Sequence, residues 1–276
     1  LFGGLVPDTF QLSLNAANEV SVDEQPDWPD HLLYYALQHF FSNGGGTCYV
    51  VSTGLIDGTP PDYTELQQGI DLLAEQDPVT LWVVPDGVRL SPIDQTTLQA
   101  YQCRKAGSSR NVFGIFDLPQ EQILTWNQNE VTTYRTGLGT AGLRHGACYT
   151  PYLETTYRWN YSENSVWVRL PGGSDPVRLR DLPENQRSAV RQELDDRRVT
   201  LPPSPAVAGI YAQTDRTRGV WKAPANVSIA NVFGPAINMT NDLNDGLNID
   251  ATSGKSVNVF TPVNEGLSIL TWSQSV

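Results

Sequence analysis

Pro203-Ser204-Pro205-Ala206-Val207-Ala208-Gly209-Ile210-Tyr211-Ala212-Gln213-Thr214-Asp215-Arg216-Thr217-Arg218-Gly219-Val220-Trp221-Lys222-Ala223-Pro224-Ala225-Asn226 is the stretch on which the reading of this chain turns. Small residues fill its first half, and the pattern predicts a helix from Ser204 to about Asp215. A helix surfaced with alanine and glycine can approach a sheet closely. The second half mixes one aspartate, two arginines, a lysine and a tryptophan between proline stops. No nucleophile stands beside a base, no metal-ligand spacing occurs, and no phosphate-cradling loop is present. This is the chemistry of packing and docking.

The same alternation of helix and strand extends outward from it. Asp30 is placed to cap a helix bearing Leu32, Leu33, Ala36, Leu37, Phe40 and Phe41 at helical spacing. Asn43-Gly44-Gly45-Gly46 ends it, since glycine accepts the left-handed backbone of a helix stop. Thr47 to Val51 then reads as a strand apolar on both faces, as in a parallel sheet covered by helices. Tyr63 to Gln76 is a second helix, Val79 to Val84 a second strand stopped at Pro85-Asp86-Gly87, and Pro92 to about Lys105 a third helix. Asn111 to Asp117 is a third strand and Gly146 to Tyr149 a weaker fourth. Strands alternating with helices imply an α/β fold, a mostly parallel sheet flanked by helices.

From Tyr152 to Leu201 the pattern changes. Ser165 to Leu170 alternates apolar and polar residues like a half-exposed strand, Pro171-Gly172-Gly173 is a turn, and Glu184 to Arg198 is a charged helix. Val257 to Phe260 and Leu267 to Trp272 form a hairpin pattern around Asn264-Glu265-Gly266. The expected organisation is residues 1–151 and 202–276 as two parts of one core, with 152–201 inserted as a short β element and a charged helix. No solenoid repeat is visible.

Composition limits the partners. The 276 residues carry a net charge of −12 and 39% are hydrophobic, which fits a folded, acidic protein. Such a chain repels nucleic acid, and its longest basic cluster is Arg197-Arg198. Cys48, Cys103 and Cys148 are too few and scattered for a disulfide framework and fit a reducing compartment. No secretory leader pattern opens the sequence, and no apolar run reaches the ~18 residues a membrane helix needs. The sequons at Asn160, Asn226 and Asn238 are therefore read as chance. The sequence opens on Leu1 and is expected to lack residues of the natural protein.

Several segments, in order, resemble contractile tail sheath proteins, the polymerising outer tube of phage tails and related injection machines. Phe2-Gly3-Gly4 resembles the start of the family's core domain. Phe40-Phe41-Ser42-Asn43-Gly44-Gly45-Gly46-Thr47-Cys48-Tyr49-Val50-Val51 resembles its helix-stop-strand segment. Pro85-Asp86 and Phe116-Asp117-Leu118-Pro119 sit where the family ends two sheet strands. Tyr149-Thr150-Pro151-Tyr152 is similar to a Tyr-x-Pro-Trp segment, and Leu201-Pro202-Pro203-Ser204 leads into the signature running to Asn226. Leu247-Asn248, Val257-Asn258 and Gly266 to Trp272 resemble the stretch before the family's C-terminal domain. The resemblance covers essentially the whole chain and is most specific from Ala208 to Asn226. The family's arms and C-terminal domain have no counterpart, since Trp272 is followed only by Ser273-Gln274-Ser275-Val276. The chain is thus expected to be a core fragment, a partial copy, or a divergent sheath-like protein.

The resemblance implies a structural subunit that stacks helically around an inner tube and contracts to drive it into a target cell. Implied partners are copies of itself, the inner tube protein, and baseplate and terminal cap proteins, with no nucleic acid or membrane. Assembly is expected in the bacterial cytoplasm, as part of a phage tail or injection particle. It also implies a core likened in fold to subtilisin, so proteolysis must be weighed. His31, His39 and His145 lack the flanks of a protease histidine, and no serine sits in a Gly-x-Ser-x-Gly context. Fold likeness does not carry activity.

His145 and Cys148 are spaced to share a metal, but no second ligand pair stands nearby, so a packed histidine and a buried thiol are the simpler reading. Gly44-Gly45-Gly46 follows a helix, whereas a phosphate loop opens one. Asp195-Asp196 reads as a solvated helix face. No catalytic, cofactor or metal residue is assigned, and no cofactor is expected. The residues of interest are Asp215, Arg216, Arg218, Trp221 and Lys222. They either pair internally to fix the loop after the helix, which is the favoured reading, or face a neighbouring subunit with Trp221 as the anchor. A hydrolase on the subtilisin-like scaffold and a non-polymerising baseplate or adaptor module are the alternatives.

Overall fold

In the computed structural model, residues 7–54, 59–109, 111–120, 128–173, 175–250, 253–263 and 266–270 are described. The strands in chain order are β1 (Phe10–Leu14), β2 (Val20–Glu24), β3 (Leu81–Trp82), β4 (Phe113–Asp117), β5 (Gly146–Thr150), β6 (Leu153–Arg158), β7 (Val166–Arg169), β8 (Val177–Arg178), β9 (Arg198–Leu201), β10 (Val232–Pro235), β11 (Val257–Val263) and β12 (Gly266–Leu270). The helices are α1 (Leu32–Ser42), α2 (Tyr63–Ala74), α3 (Pro92–Ser108), α4 (Gln128–Gly137), α5 (Glu184–Asp196), α6 (Ser204–Arg218) and α7 (Asn241–Asn248). The chain divides into two compact units, Leu1–Leu32 with Thr156–Val199, and Leu33–Thr155 with Thr200–Val276. Among the described residues no helix is long and apolar enough to cross a membrane.

The larger unit is built on a five-stranded sheet in the order β12-β11-β5-β4-β3. The β3–β4, β4–β5 and β5–β11 pairs are parallel, and β12 closes the edge antiparallel to β11. The sheet is thus mostly parallel and helix-covered, as the alternation in sequence predicts. Strand pleating sends successive side chains to opposite faces. Phe116, Cys148, Val257 and Val259 therefore pack with α3, α4 and α7 residues such as Cys103, Tyr134 and Leu247. Their neighbours Ile115, Tyr149 and Phe260 pack on the other face against Ala206, Val207 and Ile210 of α6.

Local chemistry sets the helix ends. Asp62 caps α2 by accepting from the Thr64 and Glu65 amides, and Ser91 caps α3 ahead of Pro92. After α1, the Gly45 amide donates to the Phe40 carbonyl and the Gly44 amide to that of Phe41, with Gly44 at φ +91°. This paired closure is the glycine stop expected from Asn43-Gly44-Gly45.

Two expected strands differ in the structure. Thr47 to Val51 forms no strand, and Thr47, Cys48 and Tyr49 are exposed. Val79 to Val84 contracts to Leu81–Trp82, followed by a 3-10 turn at Pro85–Arg89. β3 is the last strand of its sheet and is only two residues long, so its outer side offers little ladder for another strand to join. The hairpin β11–β12 forms as expected, while Asn264, Glu265 and Trp272 lie outside the described residues.

The smaller unit holds a four-stranded sheet in the order β2-β1-β7-β8. β1 is antiparallel to β2 and parallel to β7, which is why the first residues of the chain belong with residues 156–199. Phe10 is fully buried, edge-on to Trp159 at 5.5 Å between ring centres, and Trp159 Nε1 donates to the Arg198 carbonyl at 3.0 Å. Helix α5 turns Val190 and Leu194 inward and carries outward an ion-pair network of Arg187 and Arg191 with Glu163 and Glu184. Asp195 and Asp196 are exposed, as a solvated face requires.

Candidate functional site

The opening signature is helix α6 and the loop that follows it. Its first half is wholly buried, from Ser204 to Ile210. The helix is anchored by Asp117 at the end of β4. The Ser204 amide donates to Asp117 Oδ1 at 2.7 Å and the Ser204 hydroxyl to Oδ2 at 2.5 Å. Gln95 and Gln99 of α3 both donate to the Asp117 backbone carbonyl. Burial pushes the Asp117 carboxyl up to about 7, and the two Ser204 bonds oppose part of that rise.

A buried aspartate on a serine invites a catalytic reading, and the geometry answers it. The serine hydroxyl donates straight to the carboxylate, with no imidazole between them, so the relay of a nucleophilic serine is not built here. His39 Nε2 contacts the Ala230 carbonyl at 3.2 Å and His145 Nδ1 the Val112 carbonyl at 3.3 Å. Cys148 is buried in the core beside Tyr134, and among the described residues no group of three or more histidines, cysteines and carboxylates is placed to hold a metal. The Asp117–Ser204 pair is a helix anchor.

Helix α6 crosses α1 at Gly209. A Cβ there would overlap the Phe40 carbonyl oxygen, so only glycine permits this approach. Asn43, just past α1, then ties down the loop beyond α6. Its Nδ2 donates to the His39 carbonyl at 2.8 Å, and its Oδ1 accepts from the Ala230 amide at 2.8 Å. His39 is fully buried, and burial drives its ring down to about 4. Sequence reasoning did not single out Asn43 or His39 for this clamp. Their partner lies 187 and 191 residues away, and no local signal announces such a contact.

Between these anchors the chain turns outward. Gly219, at φ +87°, ends α6 with its amide on the Asp215 carbonyl. The Trp221 ring folds back over Gly219, where a Cβ would collide with it. Val220 is 80% exposed and Trp221 86%, an unusual exposure for neighbouring large apolar residues.

Asp215, Arg216, Arg218 and Lys222 are exposed around them. The favoured expectation of internal ion pairs is not met. Among the described residues none of the four forms an ion pair, and Arg216 Nη2 donates instead to the Gly44 carbonyl at 3.3 Å. The physical reason is position: Arg216 and Arg218 lie in the last turn of α6, where free carbonyls and the helix dipole already favour cations.

No family model matches the chain, and no curated protein matches it by sequence. Solved structures match it by fold. A chain of the anti-feeding prophage baseplate in its contracted state aligns with 87% of this chain at a TM-score of 0.57 and 24% identity. The sheath complex of an extracellular contractile injection system, PVC, also contracted, aligns with 86% at 0.53 and 23% identity. The fold is like that of these baseplate and sheath chains. The contracted helical sheath of the anti-feeding prophage aligns with 97% of the chain at 0.50 and 21% identity. This chain spans 54%, 48% and 62% of those three chains, in that order, so the shared fold covers roughly half to three-fifths of each.

Proposed function

We propose that this chain is the core of a structural subunit of a contractile sheath, one that polymerises helically around an inner tube and shortens to drive the tube into a target cell. Its partners in this reading are its own copies, the inner tube protein, and baseplate and cap proteins. Assembly takes place in the bacterial cytoplasm. The core in this reading is related in fold to subtilisin but lacks its relay, and residues 152–201 are an excursion from it. The observation that carries the reading is the likeness in fold to contracted sheath chains over 86% and 97% of this chain. Contacts that do not close on themselves build a helical tube, and a sheath needs two packings of similar energy that switch collectively.

The surface around Trp221 supports it. An exposed tryptophan flanked by arginines has the composition of an interface anchor. Replacing both Val220 and Trp221 by serine is expected to raise the critical concentration for polymerisation by about 30-fold or more, the equivalent of a hot spot of ~2 kcal/mol. Because both side chains face solvent, the melting temperature of the unassembled chain should stay at its parental value. Loss of stability in step with loss of assembly would count against an interface role.

Negative-stain microscopy of the full chain tests the reading as a whole. Open hollow tubes support the sheath. The second reading, a baseplate component, is favoured by the likeness to baseplate chains, and closed rings of fixed size would select it. Monodisperse single particles at every concentration would sink both.

A further inference from the structure

The chain is strongly acidic, yet one pocket in the larger unit has the opposite sign. It is open, about 600 Å³, and lies between the end of α3 and the loop leading to β5. Arg104, Ser108, Thr140, Gly142, Arg144 and His145 line it, and among the described residues no carboxylate does. Gly142 lets its walls meet. Its φ is +74°, and a Cβ on it would overlap the Cys103 carbonyl oxygen.

The cations in this pocket are held and unspent. A carbonyl only accepts, so the contact of His145 Nδ1 with the Val112 carbonyl assigns the ring hydrogen to Nδ1. His145 Nε2 is thereby left to accept from Arg144 Nε at 3.1 Å. That bond fixes the guanidinium and uses one of its five N–H groups. Arg104 lies with its guanidinium carbon 5.9 Å from the centre of the Tyr101 ring. Neither arginine forms an ion pair among the described residues, whereas Arg135, Arg180, Arg187, Arg191 and Arg197 each meet a carboxylate.

We infer that this pocket is a docking socket for a carboxylate-bearing segment of a second copy of this chain. The inference rests on the polymeric reading above and names one of its contacts. Charge complementarity carries it. Copies with a net charge of −12 repel each other over most of their surface, so close packing favours the place where cations are concave and unopposed. Two guanidinium groups match carboxylate geometry, each through paired N–H donors. The pocket is also open and wide. It admits a side chain carried on backbone, whereas a small free anion held there would stay hydrated and screened.

The test compares the full chain with R104E/R144E and R104K/R144K variants, scoring polymerisation by sedimentation and microscopy. The acidic variant is expected to raise the critical concentration at least about tenfold, and the lysine variant to fall between it and the parent, because lysine keeps the charge and loses the paired donors. Unassembled chains of all three should melt together, because Arg104 and Arg144 are exposed. Raising the salt concentration should weaken parental assembly more than that of the acidic variant. A critical concentration unchanged in R104E/R144E overturns the socket while leaving the sheath reading intact. A parent that never polymerises overturns both. A third arm titrates inorganic phosphate into the unassembled parent. Phosphate that binds at the arginines and inhibits assembly supports the socket. Phosphate that binds there while R104E/R144E polymerises normally assigns the pocket to a small anion and overturns it.

Discussion

Gly209→Val is expected to cost the larger unit about 3 kcal/mol or more, a large share of the ~5–15 kcal/mol that holds a domain folded. The obstacle is backbone. The first side-chain carbon at position 209 falls on the Phe40 carbonyl oxygen, with the main chain and Cβ of Asn43 close behind. A flexible side chain could swing away, but a helix carbonyl cannot. Relief requires α6 to rise off α1, which strips Ala206, Val207 and Ile210 from the sheet and loosens the Asn43 clamp on Ala230. Urea unfolding provides the check: the midpoint should fall steeply with the slope preserved. Thr217→Val, on the exposed end of the same helix, should shift it by no more than about 0.5 kcal/mol. A valine at 209 that leaves the midpoint in place would mean that α1 and α6 do not cross as described.

The second large effect is on pH dependence. Asp117 titrates from an ordinary value of 3.8 to about 7 in the fold, because burial disfavours its charge. The sign follows directly. Between these values the unfolded chain has released the proton and the folded chain retains it, so stability falls as pH rises from about 4 to 7 and is level above that. Over that window the difference amounts to about 4 kcal/mol, at roughly 1.4 kcal/mol per pH unit. Asp117→Asn keeps an acceptor for the Ser204 amide and removes the titration. Stability measured at intervals from pH 4 to 8 should therefore show the parent losing ground to the variant up to about pH 7, and the two running parallel beyond it. Asp8, pushed up to about 6, and His39, pushed down to about 4, add slopes of their own, but these are common to both proteins and cancel in the difference. Curves parallel throughout would show that the Asp117 carboxyl titrates normally.

These two positions also show what the sequence reveals and what it hides. Helices α1, α2, α3, α5 and α6 are legible because their caps and apolar spacing are local: Asp62, Ser91 with Pro92, Gly44 and Gly219 each act within a few residues. Strands β4 and β5 are legible because both faces are covered. Thr47 to Val51 has the same composition and forms no strand. β-branched residues suit a pleated surface, but a strand also needs a partner, and the partner is set by topology. The hairpin β1–β2 with its parallel bond to β7 leaves no local signal for the same reason, since Phe10 to Ser13 finds Val166 to Arg169 more than 150 residues away. At the candidate site, Trp221 and the cations around it are legible as a cluster. Their direction is not. That Asp215, Arg218 and Lys222 form no ion pair among the described residues is a fact of the folded surface, as is the gathering of Arg104 and Arg144 into one pocket.

The failure of Thr47 to Val51 to join the sheet leaves a practical handle. Cys48 lies on that segment facing water, while Cys103 and Cys148 are sealed in the core with thiols pushed up to about 12 and beyond. A maleimide dye in mildly alkaline buffer should therefore mark this chain at Cys48, with no engineered mutation. In the polymer proposed above, energy transfer between dyes on adjoining copies would follow its shortening in real time, as a change of colour.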